Sequence, residues 1–278
     1  MDCCVIGLGY IGLPTATILA KNGHKVLGID INQKIIEKLK KGEAHIYEPG
    51  LKNLVKEKIK SKELKVSNKP EISDVFLITV PTPFKKNSQK GIPIPDISYI
   101  ESAAHSLYDV IKEGDLIILE STSPVGTTEK LAELIFNNTG LNSKQVHIAY
   151  CPERVIPGNI LYELVENNRV VGGLTKEASI KAKFFYSTFC KGNIDITSTR
   201  VAELVKLSEN TYRDINIAYA NELSIICDEL QINSLEVIKY SNKHPRVNIL
   251  SPGCGVGGHC IAVDPWFIAS EFPDKSEL

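Results

Sequence analysis

The chain has 278 residues, 43% hydrophobic and 23% charged, enough for one large or two ordinary globular domains, which excludes disordered and collagen-like classes. Lys plus Arg number 32 against 33 Asp plus Glu, so a net charge of -1 offers no broad field for nucleic acid or an anionic membrane, and a bound anion needs a local site. Seven scattered cysteines without a C-x-x-C pair, no basic leader before Gly7, and no apolar run near the roughly 18 residues of a membrane span lead to the expectation of a cytoplasmic protein.

From Cys3 the text CCVIGLGYIGLPTATILAKNGHKVLGID reads as a strand, a glycine turn, a helix with apolar spacing and a second strand ending at Asp30. Helices are predicted around Lys34 to Lys41 and Leu51 to Ser61, followed by a buried strand over Val75 to Val80 that stops at Pro81-Thr82-Pro83. A helix near Tyr99 to Ile111, a strand over Asp115 to Glu120, the loop Ser121 to Thr127 and a helix to about Asn137 continue the alternation. Short strands at His147 to Tyr150 and Val170 to Gly172, a helix from Lys176 to about Phe189 and a strand over Asn193 to Thr197 close the series. This alternation predicts an α/β fold with a doubly wound parallel, Rossmann-like sheet over residues 1–198. From Thr199 to about Gln231 there is neither Pro nor Gly, and Leu204, Leu207, Ile215, Ile217, Leu223, Ile226 and Leu230 put apolar groups on several faces. Residues 199–278 are therefore expected to form a helical central domain with one long, largely buried helix, a helix over Ser234 to Ser241 and a last one starting near Pro265.

Gly7-Leu-Gly9-Tyr10-Ile11-Gly12 places G-x-G-x-x-G after a strand and at a helix start, where glycines let backbone amides approach a pyrophosphate at the positive helix end. Asp30 ends the second strand 18 residues past Gly12, where a carboxylate accepts hydrogen bonds from the adenosine ribose and repels a 2′-phosphate. NAD is thus expected rather than NADP, with Tyr10 and Ile11 on the same loop. Thr82 and Thr122, each just past a strand, are candidates to line the groove.

Gly255-Val-Gly257-Gly258-His-Cys260-Ile-Ala-Val-Asp264 crowds glycines before a cysteine, the density expected where backbone closely approaches a ligand. A cysteine there can attack an aldehyde to form a thiohemiacetal, whose oxidation gives a thioester, and Asp264 could activate the water that hydrolyses it. Lys206, Asn210 and Arg213 fall at i, i+4 and i+7 and share one helix face, with Glu203 and Glu209 at hand as ion-pair partners. Glu153 and Arg154 follow a strand and are expected to project toward the crevice, and His244-Pro-Arg246 adds two donors. No zinc-type ligand spacing exists and no metal is expected.

The order and spacing of GLGYIG at 7–12, VPTP at 80–83, ESTSPVGTTEK at 120–130, CPERVIPG at 151–158, AELVKLSENTYRDINIAYANEL at 202–223 and GVGGHCIAVDPW at 255–266 resemble the UDP-glucose/GDP-mannose dehydrogenase family. With RVVGG at 169–173, TYRD at 211–214 and HPRVNIL at 244–250, the likeness is greatest to members that oxidise the C6 alcohol of UDP-N-acetyl-D-mannosamine to a carboxylate with two NAD. The resemblance implies Cys260 as nucleophile, Lys206 for the oxyanion and proton transfers, Asn210 and Asp264 as helpers, and Glu153 near the hydrolytic water. It implies substrate contacts at Arg154, Val155, Lys206, Asn210, Arg213, His244, Arg246 and Gly257, and a homodimer or larger assembly through the long helix. It also implies a further Rossmann-like UDP-binding domain, absent from these 278 residues, so that weak or no turnover is expected of the isolated chain. The setting implied is surface polysaccharide or glycan synthesis. Other readings are oxidation of UDP-N-acetylglucosamine or UDP-glucose, a non-catalytic NAD-binding module, and a two-electron β-hydroxyacid dehydrogenase, which needs no cysteine.

Overall fold

The computed structural model describes residues 1–85, 92–258 and 261–276. Two compact units make up the chain: Met1–Thr82 with Asp96–Leu204, and Pro83–Pro95 with Val205–Leu278. In the first unit the elements run β1 (Asp2–Ile6), α1 (Gly12–Lys21), β2 (Lys25–Ile29), α2 (Gln33–Lys40), α3 (Leu51–Lys60), β3 (Leu64–Ser67), β4 (Val75–Ile78), α4 (Ser98–Leu107) and β5 (Leu116–Leu119). There follow α5 (Thr127–Thr139), β6 (His147–Tyr150), α6 (Ile160–Glu166), β7 (Arg169–Gly173), α7 (Lys176–Ser187) and β8 (Ile194–Ser198).

The eight strands form one sheet in the order β3-β2-β1-β4-β5-β6-β7-β8. Along each central strand successive side chains enter opposite layers, as the period of two requires. Val5, Leu77 and Ile118 join the layer under α1, α2, α3, α6 and α7, whereas Ile6, Ile78 and Leu119 join the layer under α4 and α5. The strand order reverses between β1 and β4, and in a doubly wound sheet the crevice beyond the carboxyl ends at that point receives a ligand.

The alternation expected from the sequence holds, with two corrections. β3 and α6 are additional elements, each too short to show a period of its own. The sheet is not wholly parallel: β7 runs antiparallel to β6, pairing Ala149 with Gly173 and Tyr150 with Gly172. An apolar run such as Arg169-Val-Val-Gly-Gly reads alike in either direction, so its sense is set by the route of the preceding loop and not by its own residues.

The long helix α8 (Thr199–Glu229) begins in the first unit, where Ala202 enters the core and the fully buried Glu203 caps α5. Its carboxylate accepts the Gly126 N–H at 2.6 Å, the Thr128 N–H at 2.8 Å and the Thr128 hydroxyl at 2.6 Å. Negative charge is favoured at this helix end, and these bonds oppose the burial that pushes the Glu203 carboxyl above its ordinary range. Glu203 is thus committed to α5 and does not serve the basic stripe of its own helix. Arg200 adds a forked ion pair to Glu129 on α5.

In the second unit α8 continues, followed by α9 (Ser234–Ser241) and α10 (Asp264–Glu271). The expectation of a largely buried helix is not met in the single chain, where Leu204, Ile215, Tyr219, Ile225 and Ile226 are exposed. A helix of 31 residues extends ~46 Å at the α-helical rise, and α9 and α10, eight residues each, are too short to cover it.

Candidate cofactor groove and active-site residues

At the reversal point the loop after β1 is shaped by contacts that only glycine allows. Gly7 has φ +94°, and a Cβ there would press on the Thr79 carbonyl, while one on Gly12 would collide with the Gly7 carbonyl and the Thr79 hydroxyl. Gly9 differs, because a Cβ there would meet nothing within 4 Å. Its bare backbone opens outward beside the exposed Tyr10, the pattern of a loop shaped to let a pyrophosphate come close. Thr79, not singled out by the sequence reasoning, donates to the carbonyls of Gly7 at 2.7 Å and Ile6 at 3.0 Å and ties β4 to the loop.

Asp30 accepts the Leu8 N–H at 3.1 Å and the Asn32 N–H at 2.8 Å, which points its carboxylate back across the loop. A carboxylate has about four acceptor positions, so two remain for ribose hydroxyls. Beside it lies His45, also missed, whose pKa burial pushes down against the raising effects of Asp30 and the Leu8 backbone. Thr82 donates to the Thr122 carbonyl at 2.6 Å, so the two threonines read as groove residues do meet. These residues fit a dinucleotide. Asp30→Ala is expected to weaken NAD binding roughly 10- to 100-fold, the worth of hydrogen bonds to a charged group, and to narrow the preference over NADP, both measurable by titration of intrinsic fluorescence.

The segment after β6 is pinned from several directions. Glu48, buried in the loop before α3, accepts the N–H groups of Gly158 and Ile160, each at 2.8 Å, and so fixes the start of α6. Arg154 carries a backbone N–H to Glu153 at 2.7 Å and has its carbonyl held by Asn167 at 2.7 Å; Val155 is half-buried against the core. Glu153, expected to project toward the crevice, is buried and turned onto Arg169, whose guanidinium reaches it at 3.2 and 3.3 Å. That partner lies 16 residues further on and only the fold brings it in.

In the second unit α8 and α10 bring together three groups read from the sequence. Asn210 donates from Nδ2 to Asp264 Oδ2 at 2.5 Å, with both side chains buried. Burial pushes the Asp264 carboxyl up to about 6, against the opposing pull of the Asn210 hydrogen bond and the Lys206 ammonium. Lys206, one turn before Asn210, is half-buried, which places a cation on the same side as the carboxyl. Arg213 on α8 and His244, Arg246 and Gly257 on the loop after α9 are exposed, and that loop is tied to α8 by amides that the sequence reasoning missed. Asn216 holds Asn248 and Leu250, and Asn221 holds Gly253. Cys260 lies outside the described residues. Among the described residues no cluster of His, Cys, Asp and Glu could hold a metal ion.

Residues 1–190 match the NAD binding domain of the UDP-glucose/GDP-mannose dehydrogenase family and residues 200–277 its central domain. The chain belongs to that family. It is 51% identical over 283 residues to UDP-N-acetyl-D-mannosamine dehydrogenase of Campylobacter jejuni, covering 99% of this chain and 69% of that protein. It is 50% identical to NDP-N-acetyl-D-galactosaminuronic acid dehydrogenase of Ralstonia nicotianae, covering 99% of this chain and 66% of the relative. The solved UDP-D-ManNAc dehydrogenase of Pyrococcus horikoshii superposes with a TM-score of 0.94 at 44% identity, over 100% of this chain and 66% of that one. The chain thus spans about two thirds of the length of the relatives it matches. Membership makes the first unit a dehydrogenase NAD domain and NAD its cofactor.

Proposed function

We propose that the chain carries the NAD-dependent oxidation of the C6 alcohol of UDP-N-acetyl-D-mannosamine to UDP-N-acetyl-D-mannosaminuronate. The observation that carries this reading is the buried Asn210–Asp264 pair beside Lys206, with Cys260 four residues before Asp264 in a glycine-rich segment. A carboxyl, an amide and a lysine amine are the groups that a cysteine nucleophile needs for proton transfer, oxyanion stabilisation and hydrolysis.

NAD would be held by the Gly7–Gly12 loop and Asp30, and two NAD bound in turn would each supply the acceptor for one electron pair. Lys206, in its amine form, takes the hydroxyl proton as the alcohol becomes an aldehyde, and the ammonium so formed stabilises the oxyanion made when the Cys260 thiolate adds to the carbonyl carbon. The thiohemiacetal loses its second electron pair to become a thioester. Water then adds to the acyl carbon, Asp264 takes its proton, and the thiolate leaves as the carboxylate forms. Glu153 is assigned to the hydrolytic half, and Arg154, Val155, Arg213, His244, Arg246 and Gly257 to the nucleotide sugar. The exposed apolar face of α8 is read as the contact for a second copy.

NADH formation with UDP-N-acetyl-D-mannosamine, UDP-N-acetylglucosamine and UDP-glucose supplied separately tests the substrate. The mannosamine sugar is expected to give a kcat/KM about tenfold or more above the others, the discrimination available to a site that hydrogen-bonds a correctly placed substituent. Equal or higher values with glucose would refute the assignment.

A further inference from the structure

Between the two layers of the first unit lies a buried group of charges that the steps above use only in part. Glu120, at the end of β5, is 3% exposed, and its Oε1 accepts the Tyr186 hydroxyl of α7 at 2.6 Å. Its Oε2 is buried without a hydrogen-bond partner among the described residues. Arg169 of β7 is 3% exposed, places its guanidinium carbon 4.6 Å from the centre of the Tyr186 ring, and donates to Glu153, to the Leu164 carbonyl at 3.0 Å and toward the Cys151 sulfur at 3.9 Å. The ionisable groups facing Glu120 are therefore Glu153 beyond β6, Cys151 at the end of β6, Arg169 on β7 and Tyr186 on α7.

One buried guanidinium cannot neutralise two buried carboxylates, so one of the two must hold a proton. The hydrogen bonds decide which. Glu153 receives both guanidinium N–H groups and the Arg154 backbone N–H, all of which favour the ionised form, whereas Glu120 has a single phenol. We propose that Glu120 is a positioning residue for Glu153: it shares the pocket as a neutral acid and so leaves the one guanidinium charge to Glu153. Ionisation of Glu120 places a second negative charge against Glu153 and competes for Arg169. In agreement, burial, with the Glu153 charge next, pushes the Glu120 carboxyl up to about 7 against the pull of Arg169 and the Tyr186 hydrogen bond.

The function of Glu153 rests on the reaction proposed above, whereas the proton on Glu120 does not. Because its value in the fold lies above the ordinary 4.5, the stabilising contribution of Glu120 is present below about 4.5 and is lost as pH rises through about 7. Thermal unfolding of the chain and of Glu120→Gln between about pH 5 and pH 8.5 is expected to show the variant gaining on the wild type by roughly 5 °C as pH rises. Tyr186→Phe, which removes a bond that favours the ionised form, is expected to move that step to higher pH. A midpoint difference independent of pH in both variants overturns the proposal. The wild-type minus Glu120→Gln infrared difference spectrum at about pH 6 is expected to show the C=O band of a neutral carboxylic acid; its absence also overturns the proposal. In turnover, the wild-type kcat is expected to fall through a step near pH 7 that Glu120→Gln lacks, and a step kept by the variant refutes the effect on Glu153. A wild type silent on every UDP-sugar counts against the proposed reaction, while unfolding and infrared data still decide the state of Glu120.

Discussion

Cys260→Ala is expected to lower uronate formation by at least about three orders of magnitude, because without the sulfur no covalent aldehyde adduct forms and the second oxidation has no route to a thioester. The first oxidation needs only the bound alcohol, NAD and a base, so the variant is expected to reach the aldehyde and stop. Hydroxylamine trapping separates this from simple loss of folding: a trapped C6 aldehyde in the variant and none in wild type is the expected pattern. A two-electron dehydrogenase would behave differently, with Cys260→Ala keeping full activity.

Asp264→Asn is expected to shift stability and activity in opposite directions. The carboxyl lies near 6 in the fold against an ordinary 3.8, so the stability it contributes is present below about 3.8 and is lost as pH rises through about 6. At neutral pH the ionised group costs roughly 1–3 kcal/mol, an amount set by the size of the shift. The amide removes that cost and can still accept from Asn210 through its carbonyl oxygen. Urea unfolding at about pH 8 is therefore expected to show the variant more stable than wild type, with the difference vanishing toward about pH 4. Turnover is expected to fall by about 10² to 10⁴, the usual worth of a placed acid or base. A fully active variant would remove Asp264 from the hydrolytic role, and a stability difference that does not change with pH would contradict the raised carboxyl.

How much of this could be read from the residues depended on how far apart the partners are in the chain. The Gly7–Gly12 turn and Asp30 were legible because β1, α1 and β2 are consecutive and each shows its own period. The Lys206 and Asn210 face was legible from helical spacing, and Asp264 from its distance to Cys260, although only the fold shows Asn210 meeting Asp264 across 54 residues. Arg169 beneath Glu153, Glu48 beneath the start of α6 and Glu203 beneath the start of α5 were not legible, since each satisfies backbone or charge on an element distant in sequence. A lone acidic residue inside an apolar stretch was the available signal for Glu203 and Glu120, but nothing local names a partner. Apolar residues on several faces of α8 read as burial, yet composition alone cannot distinguish apolar side chains covered within one chain from those left exposed on it.

Glu120, Glu153, Arg169 and Tyr186 share the interior of the first unit, while Asn210 and Asp264 share that of the second beside the half-buried Lys206. In both groups a carboxyl is raised chiefly by burial and retained against that cost, as is common where proton transfer is required. The measurement that tests the reaction most directly is the amount of NADH released per UDP-N-acetyl-D-mannosamine consumed by the purified chain. Two NADH per sugar, with uronate as the product and both lost in Cys260→Ala, is the expected result. One NADH per sugar, or two that survive the loss of the cysteine, would contradict the four-electron cysteine mechanism.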